Sequence, residues 1–246
     1  MKHHFLLAVV LLLLPAAALS AAQDTSLPTA SEVVERMVQR DAHRQILTQG
    51  YAGIRRYVLE NDGMNKRAEM LVRVNGDSDG TKHFEILSEQ GWKAAQKHVL
   101  RKMLESESQT SSPETRAKTR LCSDNYEFHM VGLVVGDRPT YAIDVKPKRK
   151  DKLLFEGRIW VDTEDYALVR AEGNPAKNPS FWTKHIHFVH TYEKQGGFWF
   201  PLSTESVTDA HIFGRTDLTI EYFDYKPNAT QFAEGIAITT QGFQQQ

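Results

Sequence analysis

Short segments with the pattern of β-strands fill most of the second half of the chain, and turn signals separate them at nearly regular intervals. Gly136-Asp137, residues 163–165 and Gln195-Gly196-Gly197 are typical turn sequences. The strand-like segments are 126–135, 140–145, 153–162, 166–172, 181–192, 198–208 and 215–225. Strands at this spacing favour an antiparallel sandwich or barrel over βαβ units, which need a helix between successive strands.

The first half begins with a helical pattern and continues as a strand meander. Ser31 is the predicted N-cap of the helix, and strands are predicted over 51–60, 66–74 and 83–87. Residues 66–74 alternate apolar and mostly charged side chains, which is the pattern of a half-buried strand. The apolar residues that recur at helical spacing are Val33, Val34, Met37, Val38, Ile46 and Leu47.

Residues 92–106 interrupt the strands with a helical period. Trp92, Val99 and Met103 fall on one side of this helix, and basic residues fall on the other. The polar residues 106–118 that follow are predicted to form a mobile loop. The helix and loop either cap an open end of the sheet or form a lid, and we assign Trp92, Val99 and Met103 to this lid helix.

The N-terminus has the pattern of a secretory signal peptide. Lys2 precedes an unbroken apolar run over 5–14, and small residues follow Pro15. This run is shorter than the about 20 apolar residues that a membrane-spanning helix needs. We therefore expect residues 1–22 to be a signal peptide, cleaved after Ser20 or Ala22, and residues 23–246 to be a single domain in the periplasm.

The charges of the chain nearly cancel, with 30 Lys and Arg against 31 Asp and Glu residues. Nucleic-acid binding needs a field of one sign, so the composition argues against it. Cys122 is the only cysteine, which excludes an internal disulfide and predicts a half-buried thiol. The domain must therefore be held together by its hydrophobic core.

Several strands are apolar or aromatic on both faces, including Phe198-Trp199-Phe200 and residues 220–223. Such a sheet is covered on both sides. Two interpretations stay open: a well-filled core, and a cavity for an apolar ligand, which a barrel of this size can enclose. For the cavity, the alternation predicts a lining of Met70, Val72, Trp160, Phe188 and Tyr222.

Residues 155–162 (Phe-Glu-Gly-Arg-Ile-Trp-Val-Asp) and 166–172, which end in Arg-Ala-Glu, resemble the central hairpin of the periplasmic outer-membrane lipoprotein-sorting superfamily. Residues 178–182 and 197–201 are similar to segments of uncharacterised bacterial members. The order of signal peptide, helix, meander, inserted helices and further strands also matches that group. The resemblance implies an α+β, mainly antiparallel fold: a half-open β-barrel wrapped around a few helices, with an apolar cavity that shields lipid chains.

Three histidines form the cluster that most suggests a metal-binding or catalytic site. His185 and His187 share one face of a predicted strand and could bind one metal ion together. Asp209 or His211 from a neighbouring strand would complete such a site. His190 falls on the opposite face. Hydrogen bonding at a sheet surface is the favoured interpretation, because no dedicated metal motif accompanies them.

Two charged clusters are interpreted as ordinary loops. Asp162, Glu164 and Asp165 at a hairpin tip suit acid–base chemistry or Ca²⁺, but a solvated turn is favoured. The basic run over 146–152 suits anionic lipid headgroups, but a solubilising turn is favoured. Nucleophile-elbow, Walker and dinucleotide-binding sequences do not occur, so no catalytic residue is assigned.

We therefore predict a non-catalytic periplasmic carrier or binding protein for lipid or lipoprotein acyl chains, acting as a monomer without cofactor or metal. Its expected partners are those chains and an inner- or outer-membrane protein, with no nucleic acid. Two alternatives remain: an envelope-stress sensor or protein-interaction module on the same fold, and a metal-dependent hydrolase that uses the strand histidines.

Overall fold

The computed structural model describes residues 27–178, 183–210 and 214–228. The predicted signal peptide, Phe181-Trp182 and His211 lie outside these residues. Four α-helices are described: α1 (Ala30–Thr48), α2 (Lys93–Ala95), α3 (Arg101–Thr110) and α4 (Pro113–Thr119). A π-helical turn at Gln96–Leu100 joins α2 to α3, and we call residues 93–110 the inserted helix. None of the described helices is long and apolar enough to cross a membrane.

The described strands form one ten-stranded antiparallel sheet. They are β1 (Tyr51–Asn61), β2 (Lys66–Gly76), β3 (Lys82–Gly91), β4 (Tyr126–Val134), β5 (Thr140–Pro147), β6 (Phe155–Asp162), β7 (Leu168–Pro175), β8 (Thr183–Gln195), β9 (Phe198–Ala210) and β10 (Gly214–Pro227). Their order in the sheet is β3-β2-β1-β10-β9-β8-β7-β6-β5-β4.

The sheet is not closed, and its open seam lies between the edge strands β3 and β4. These two strands follow each other in the chain, but the inserted helix and α4 stand between them in place of a tight turn. All other sequential strand neighbours pair directly, and β1 pairs with β10. The predicted α+β, mainly antiparallel half-open barrel is therefore confirmed.

The helices cover the inner face of the sheet in two places. The buried residues Val33, Val34 and Met37 of α1 pack in one core cluster with β4–β7. Leu100 and Leu104 of the inserted helix pack in a second cluster with β1, β2 and β10. The residues that each helix buries recur at helical spacing, and the two clusters leave the middle of the sheet between them.

Helix α1 starts earlier than predicted. Its N-cap is Thr29, whose side chain accepts a hydrogen bond from the Glu32 backbone N–H, while the Glu32 carboxylate accepts from the Thr29 N–H. This reciprocal capping box satisfies two helix-end donors, which Ser31 does not. At the other end of the helix, Ile46 and Leu47 are exposed rather than part of the apolar stripe.

The segment predicted as a mobile loop is largely helical. Residues 106–110 complete the inserted helix, and α4 follows with Ser112 as its N-cap and Pro113 in its first turn. Proline suits a first helical turn because the N–H that it lacks has no intrahelical partner there.

The predicted solubilising loop over 146–152 contains Arg149, which donates to the Asn125 side chain.

The hairpin tip between β6 and β7 is an anchored turn rather than a solvated one. Asp162 is 1% exposed and accepts two hydrogen bonds from Arg138 and others from the backbone N–H groups of Glu164 and Asp165. Burial alone raises the pKa of Asp162, but these donors outweigh burial and lower it. The carboxylate therefore fixes the turn.

Glycine is required where the paired strands β6 and β7 approach each other closely. Gly157 pairs with Gly173, and a Cβ on Gly157 would lie 2.6 Å from the Gly173 Cα and closer still to the Glu172 carbonyl. Because these are backbone atoms within a ladder, the strands would have to separate. We expect Gly157→Ala to lower the free energy of unfolding by about 2 kcal/mol, as overpacking does.

Urea denaturation measures this effect, with Gly136→Ala as the matched control. A Cβ on Gly136 meets no atom within 4 Å. Equal stability of the two variants would contradict the close approach of β6 and β7.

Candidate functional site

A cavity of about 1450 Å³ occupies the uncovered middle of the half-barrel. Its floor is the inner face of β8, β9 and β10, and its walls include α1 and the inserted helix. Strand alternation explains the floor, because Ile186, Phe188, His190 and Tyr192 are every second residue of β8 and all line the cavity.

Much of the cavity surface is apolar. The apolar and aromatic side chains that line it include Trp92, Val99 and Met103 from the inserted helix and its start, Ile186 and Phe188 from β8, Phe198 and Phe200 from β9, and Leu218 and Ile220 from β10. Hydroxyl groups of Thr204, Ser206 and Thr208 interrupt this surface along β9.

Of the residues predicted to line a cavity or to form its lid, five line the cavity, two lie in the core and one lies on the outer face of the sheet. Phe188 and Tyr222 line it, as do the lid-helix residues Trp92, Val99 and Met103.

Met70, Val72 and Trp160 do not line the cavity. Met70 and Val72 point inward as the alternation of β2 predicts, but the inserted helix covers that part of the sheet, and both are fully buried in core. Trp160 lies on the opposite face from the buried Ile159 and Val161, under the guanidinium of Arg170 at 5.2 Å.

The π-helical turn explains why Val99 reaches the cavity. In a regular α-helix, Val99 would follow Ala95 by one turn and share its buried face. The wider turn at Gln96–Leu100 gives that buried place to Leu100 instead, and Val99 is 40% exposed at the cavity rim. Such bulges occur often at functional sites.

A charged cluster lies at one end of the cavity. Arg55, with a side chain only 4% exposed, donates to the Glu107 carboxylate at 2.8 Å and to the Tyr225 hydroxyl at 2.8 Å. Its guanidinium also lies over the rings of Phe84 and Tyr222, at 5.4 and 5.0 Å from their centroids. The ring contacts and the hydrogen bonds together restrict rotation of the guanidinium.

Glu107 is shared between two cations. Lys82 Nζ lies 2.7 Å from its other carboxylate oxygen. Burial opposes ionisation of Glu107, but Lys82 and Arg55 together outweigh burial and lower its pKa to about 2. The carboxylate is therefore ionised at neutral pH, and two positive charges face one negative charge.

His190 forms a separate polar chain on the cavity floor. Its Nδ1 lies 2.7 Å from the Thr204 hydroxyl, which lies 2.8 Å from the Tyr222 hydroxyl. Phe188 and Tyr192 flank the imidazole, and burial lowers the pKa of His190 to about 4. The ring is neutral at pH 7.

The other strand histidines lie on the opposite face of β8. His185 and His187 are exposed, and His187 Nδ1 contacts the side-chain oxygen of Asn174 at 3.0 Å. Across the described ranges, no three His, Cys, Asp or Glu side chains come together as a metal-binding group. Cys122 is a half-buried free thiol outside the cavity.

The sequence analysis missed Arg55, Lys82, Glu107 and His190 as cavity residues. A usable signal for Arg55 exists, because it shares strand phase with Gly53, Tyr57 and Leu59, all of which are buried. A charged residue in phase with apolar neighbours indicates a buried charge that needs partners. Nothing in the local sequence indicates Glu107, which depends on how the inserted helix docks.

Because His190 is half-buried and its pKa is lowered, so that the ring is neutral at pH 7, we expect the stability of the protein to fall in mild acid. An imidazole in the unfolded chain binds a proton below about pH 6.5, whereas His190 in the folded protein does so only near pH 4. The unfolded state thus binds more protons between these values, so the free energy of unfolding falls as pH drops from 6.5 to 4, by up to about 3 kcal/mol.

Denaturation at pH 7 and pH 4 measures this effect in the wild type and in His190→Gln. The variant loses less stability between the two pH values than the wild type does. His187→Gln, on the exposed face of the same strand, is the control for loss of a histidine outside the cavity. An identical loss in the wild type and His190→Gln would contradict the neutral imidazole of His190.

No protein-family model and no curated protein matches the sequence. Solved structures similar to it include a DUF1329 family protein from Desulfovibrio piger, 12% identical, with a TM-score of 0.45 over 83% of this chain and 95% of that chain. A putative outer membrane lipoprotein-sorting protein domain from Vibrio parahaemolyticus is 13% identical, with a TM-score of 0.41 over 82% of this chain and 94% of that one.

A third similar structure is a LolA superfamily protein from Nitrosomonas europaea. It is 9% identical, with a TM-score of 0.37 over 82% of this chain and 94% of that chain. All three structures are less than 25% identical to this chain and show a likeness of fold alone. No residue role passes from any of the three structures to this chain.

Proposed function

We propose that this protein is a non-catalytic carrier or binding protein for lipid or lipoprotein acyl chains, exported to the periplasm. The observation that carries the proposal is the large, mainly apolar cavity between α1 and the inserted helix. A soluble carrier of acyl chains needs such a space, because it must keep apolar surface away from water.

The size of the cavity favours a lipid over a small metabolite. Pockets for drug-sized ligands measure roughly 300–1000 Å³, and this cavity is larger, at about 1450 Å³. Its floor also runs across three adjacent strands, which gives an elongated chain continuous contact.

The apolar floor supplies the affinity. Burying each CH₂ group contributes about 0.8 kcal/mol, so ten methylenes offer a gross gain of about 8 kcal/mol. The cost of immobilising ligand and side chains reduces this figure. The gross gain from ten methylenes equals a micromolar dissociation constant before this cost is subtracted, so net binding of that strength needs a longer chain or further contacts.

The inserted helix sets how a ligand enters and leaves. It follows the edge strand β3 in the chain and packs over β1, β2 and β10, and Val99 at its π-helical turn stands at the cavity rim. Release of a bound chain requires either competition for the cavity or displacement of this helix.

We expect lipid to co-purify with the protein when it is isolated without detergent. Organic extraction followed by mass spectrometry identifies it, and protein washed with detergent before extraction is the control. Absence of lipid from the extract, together with no binding of a fluorescent fatty acid, would contradict the proposal.

Placing a charge at the cavity rim tests the site itself. We expect Val99→Glu to weaken binding of a fluorescent fatty acid at least about tenfold, equivalent to about 1.4 kcal/mol, because the carboxylate must lose water against the ligand chain. Fluorescence titration measures the affinity.

The matched control is Val131→Glu on the edge strand β4. Val131 is 47% exposed, close to the 40% of Val99, but it lies outside the cavity lining. Thermal melts confirm that both variants are folded. Equal affinities of the two variants would place the binding site elsewhere.

A further inference from the structure

The charges that line the cavity do not balance among the described residues. Four cations line it (Arg44, Arg55, Lys82 and Lys102), against two carboxylates (Asp41 and Glu107). Arg44 pairs with Asp41 at 2.9 Å. This pairing leaves three cations with Glu107 as their only carboxylate in the lining.

Arg55 has hydrogen-bonding capacity that the folded chain does not use. Of its five N–H groups, the Nε group donates to Tyr225, and the Nη1 groups serve Tyr57 and Glu107. Within the described ranges, Nη2 has no acceptor, yet no buried side-chain nitrogen lacks a partner. Nη2 therefore keeps a small exposed surface although the side chain as a whole is only 4% exposed, and the residue lines the cavity.

The guanidinium presents these two donors in a fixed direction. Its Cζ lies over the rings of Phe84 and Tyr222, and its Nε donates to the Tyr225 hydroxyl. Each remaining N–H bond of Nη2 can donate one charge-assisted hydrogen bond to an oxygen of a carboxylate or phosphate. The side chain is prepared for an anion before any ligand arrives.

Lys82 adds a second donor beside Arg55. Its ammonium group contacts Glu107 through one of three N–H bonds, and its side chain is 29% exposed. Since Glu107 serves both cations, the cluster keeps a net positive charge in a partly dehydrated place. An anion bound here would offset that charge, whereas a neutral group would not.

We propose that Arg55 and Lys82 bind the anionic head group, carboxylate or phosphate, of an amphiphile whose chain lies along the apolar floor of the cavity. This assignment rests on the proposed function and narrows its ligand to acidic amphiphiles.

Four ligands with the same sixteen-carbon chain test the assignment: palmitate, hexadecyl phosphate, hexadecanol and hexadecyltrimethylammonium. Each displaces the neutral dye N-phenyl-1-naphthylamine from the full chain at pH 7, below the critical micelle concentration. We expect the two anions to bind at least about tenfold more tightly than the alcohol and the cation. The relative affinities of palmitate and hexadecyl phosphate show which acidic group Arg55 and Lys82 bind more tightly.

The variant Lys82→Gln tests whether the preference for anionic ligands comes from Arg55 and Lys82. We expect the ratio of palmitate affinity to hexadecanol affinity to fall at least about fivefold, because one of the two head-group cations is removed. Lys97→Gln is the matched control, since Lys97 is exposed on the inserted helix outside the cavity lining. It should keep the wild-type ratio.

The outcomes separate the two proposals. Equal affinity for all four ligands would overturn the head-group assignment and leave the carrier function intact. A preference for anions that is the same in Lys82→Gln and Lys97→Gln would also overturn it. Binding of none of the four ligands would instead contradict the carrier function.

Discussion

The pairing of β1 with β10 is the interaction on which the rest of the structure depends. It joins three strands from the first half of the chain to seven from the second half in one sheet. Its register sets Arg55 opposite Tyr222 and Tyr57 opposite Ile220. The charged end of the cavity therefore exists only because the two halves of the chain meet along this ladder.

The cavity arises from the part of the sheet that neither helix covers. Helix α1 fills the inner face over β4–β7, and the inserted helix fills it over β1, β2 and β10. Between these two cores, β8 carries Ile186 and Phe188 inward, and both line the cavity. An apolar inner face that is left open in this way favours an apolar occupant.

Much of the fold follows from local sequence. The period-two alternation of β2 and the turn sequence at Gly196-Gly197 identify strands and a hairpin without reference to distant residues. The inserted helix is equally visible in its apolar period. The sequence pattern predicts too short a helix, because residues 107–110 are polar and continue no apolar stripe. Tertiary contacts such as the Lys82–Glu107 ion pair stabilise this last turn.

The site was less accessible from sequence, for two physical reasons. Alternation tells which face of a strand a residue occupies but not what covers that face, so Met70 and Val72 were placed correctly inward and yet belong to core. Trp160 was assigned to the wrong face by the alternation, because it lies on the outer face against Arg170 while Ile159 and Val161 point inward. Arg55 and Glu107 come together only through the docking of the inserted helix, which no local pattern encodes.

The cavity combines an apolar floor with one positively charged end. Photolabelling with a sixteen-carbon fatty acid that carries a chain diazirine tests it most directly, because peptide mapping by mass spectrometry locates the bound chain. We predict saturable labels in the inserted helix and in β8–β10, suppressed by excess palmitate. Labels confined to the edge strand β4, or labelling that does not saturate, would contradict a chain-binding cavity between α1 and the inserted helix.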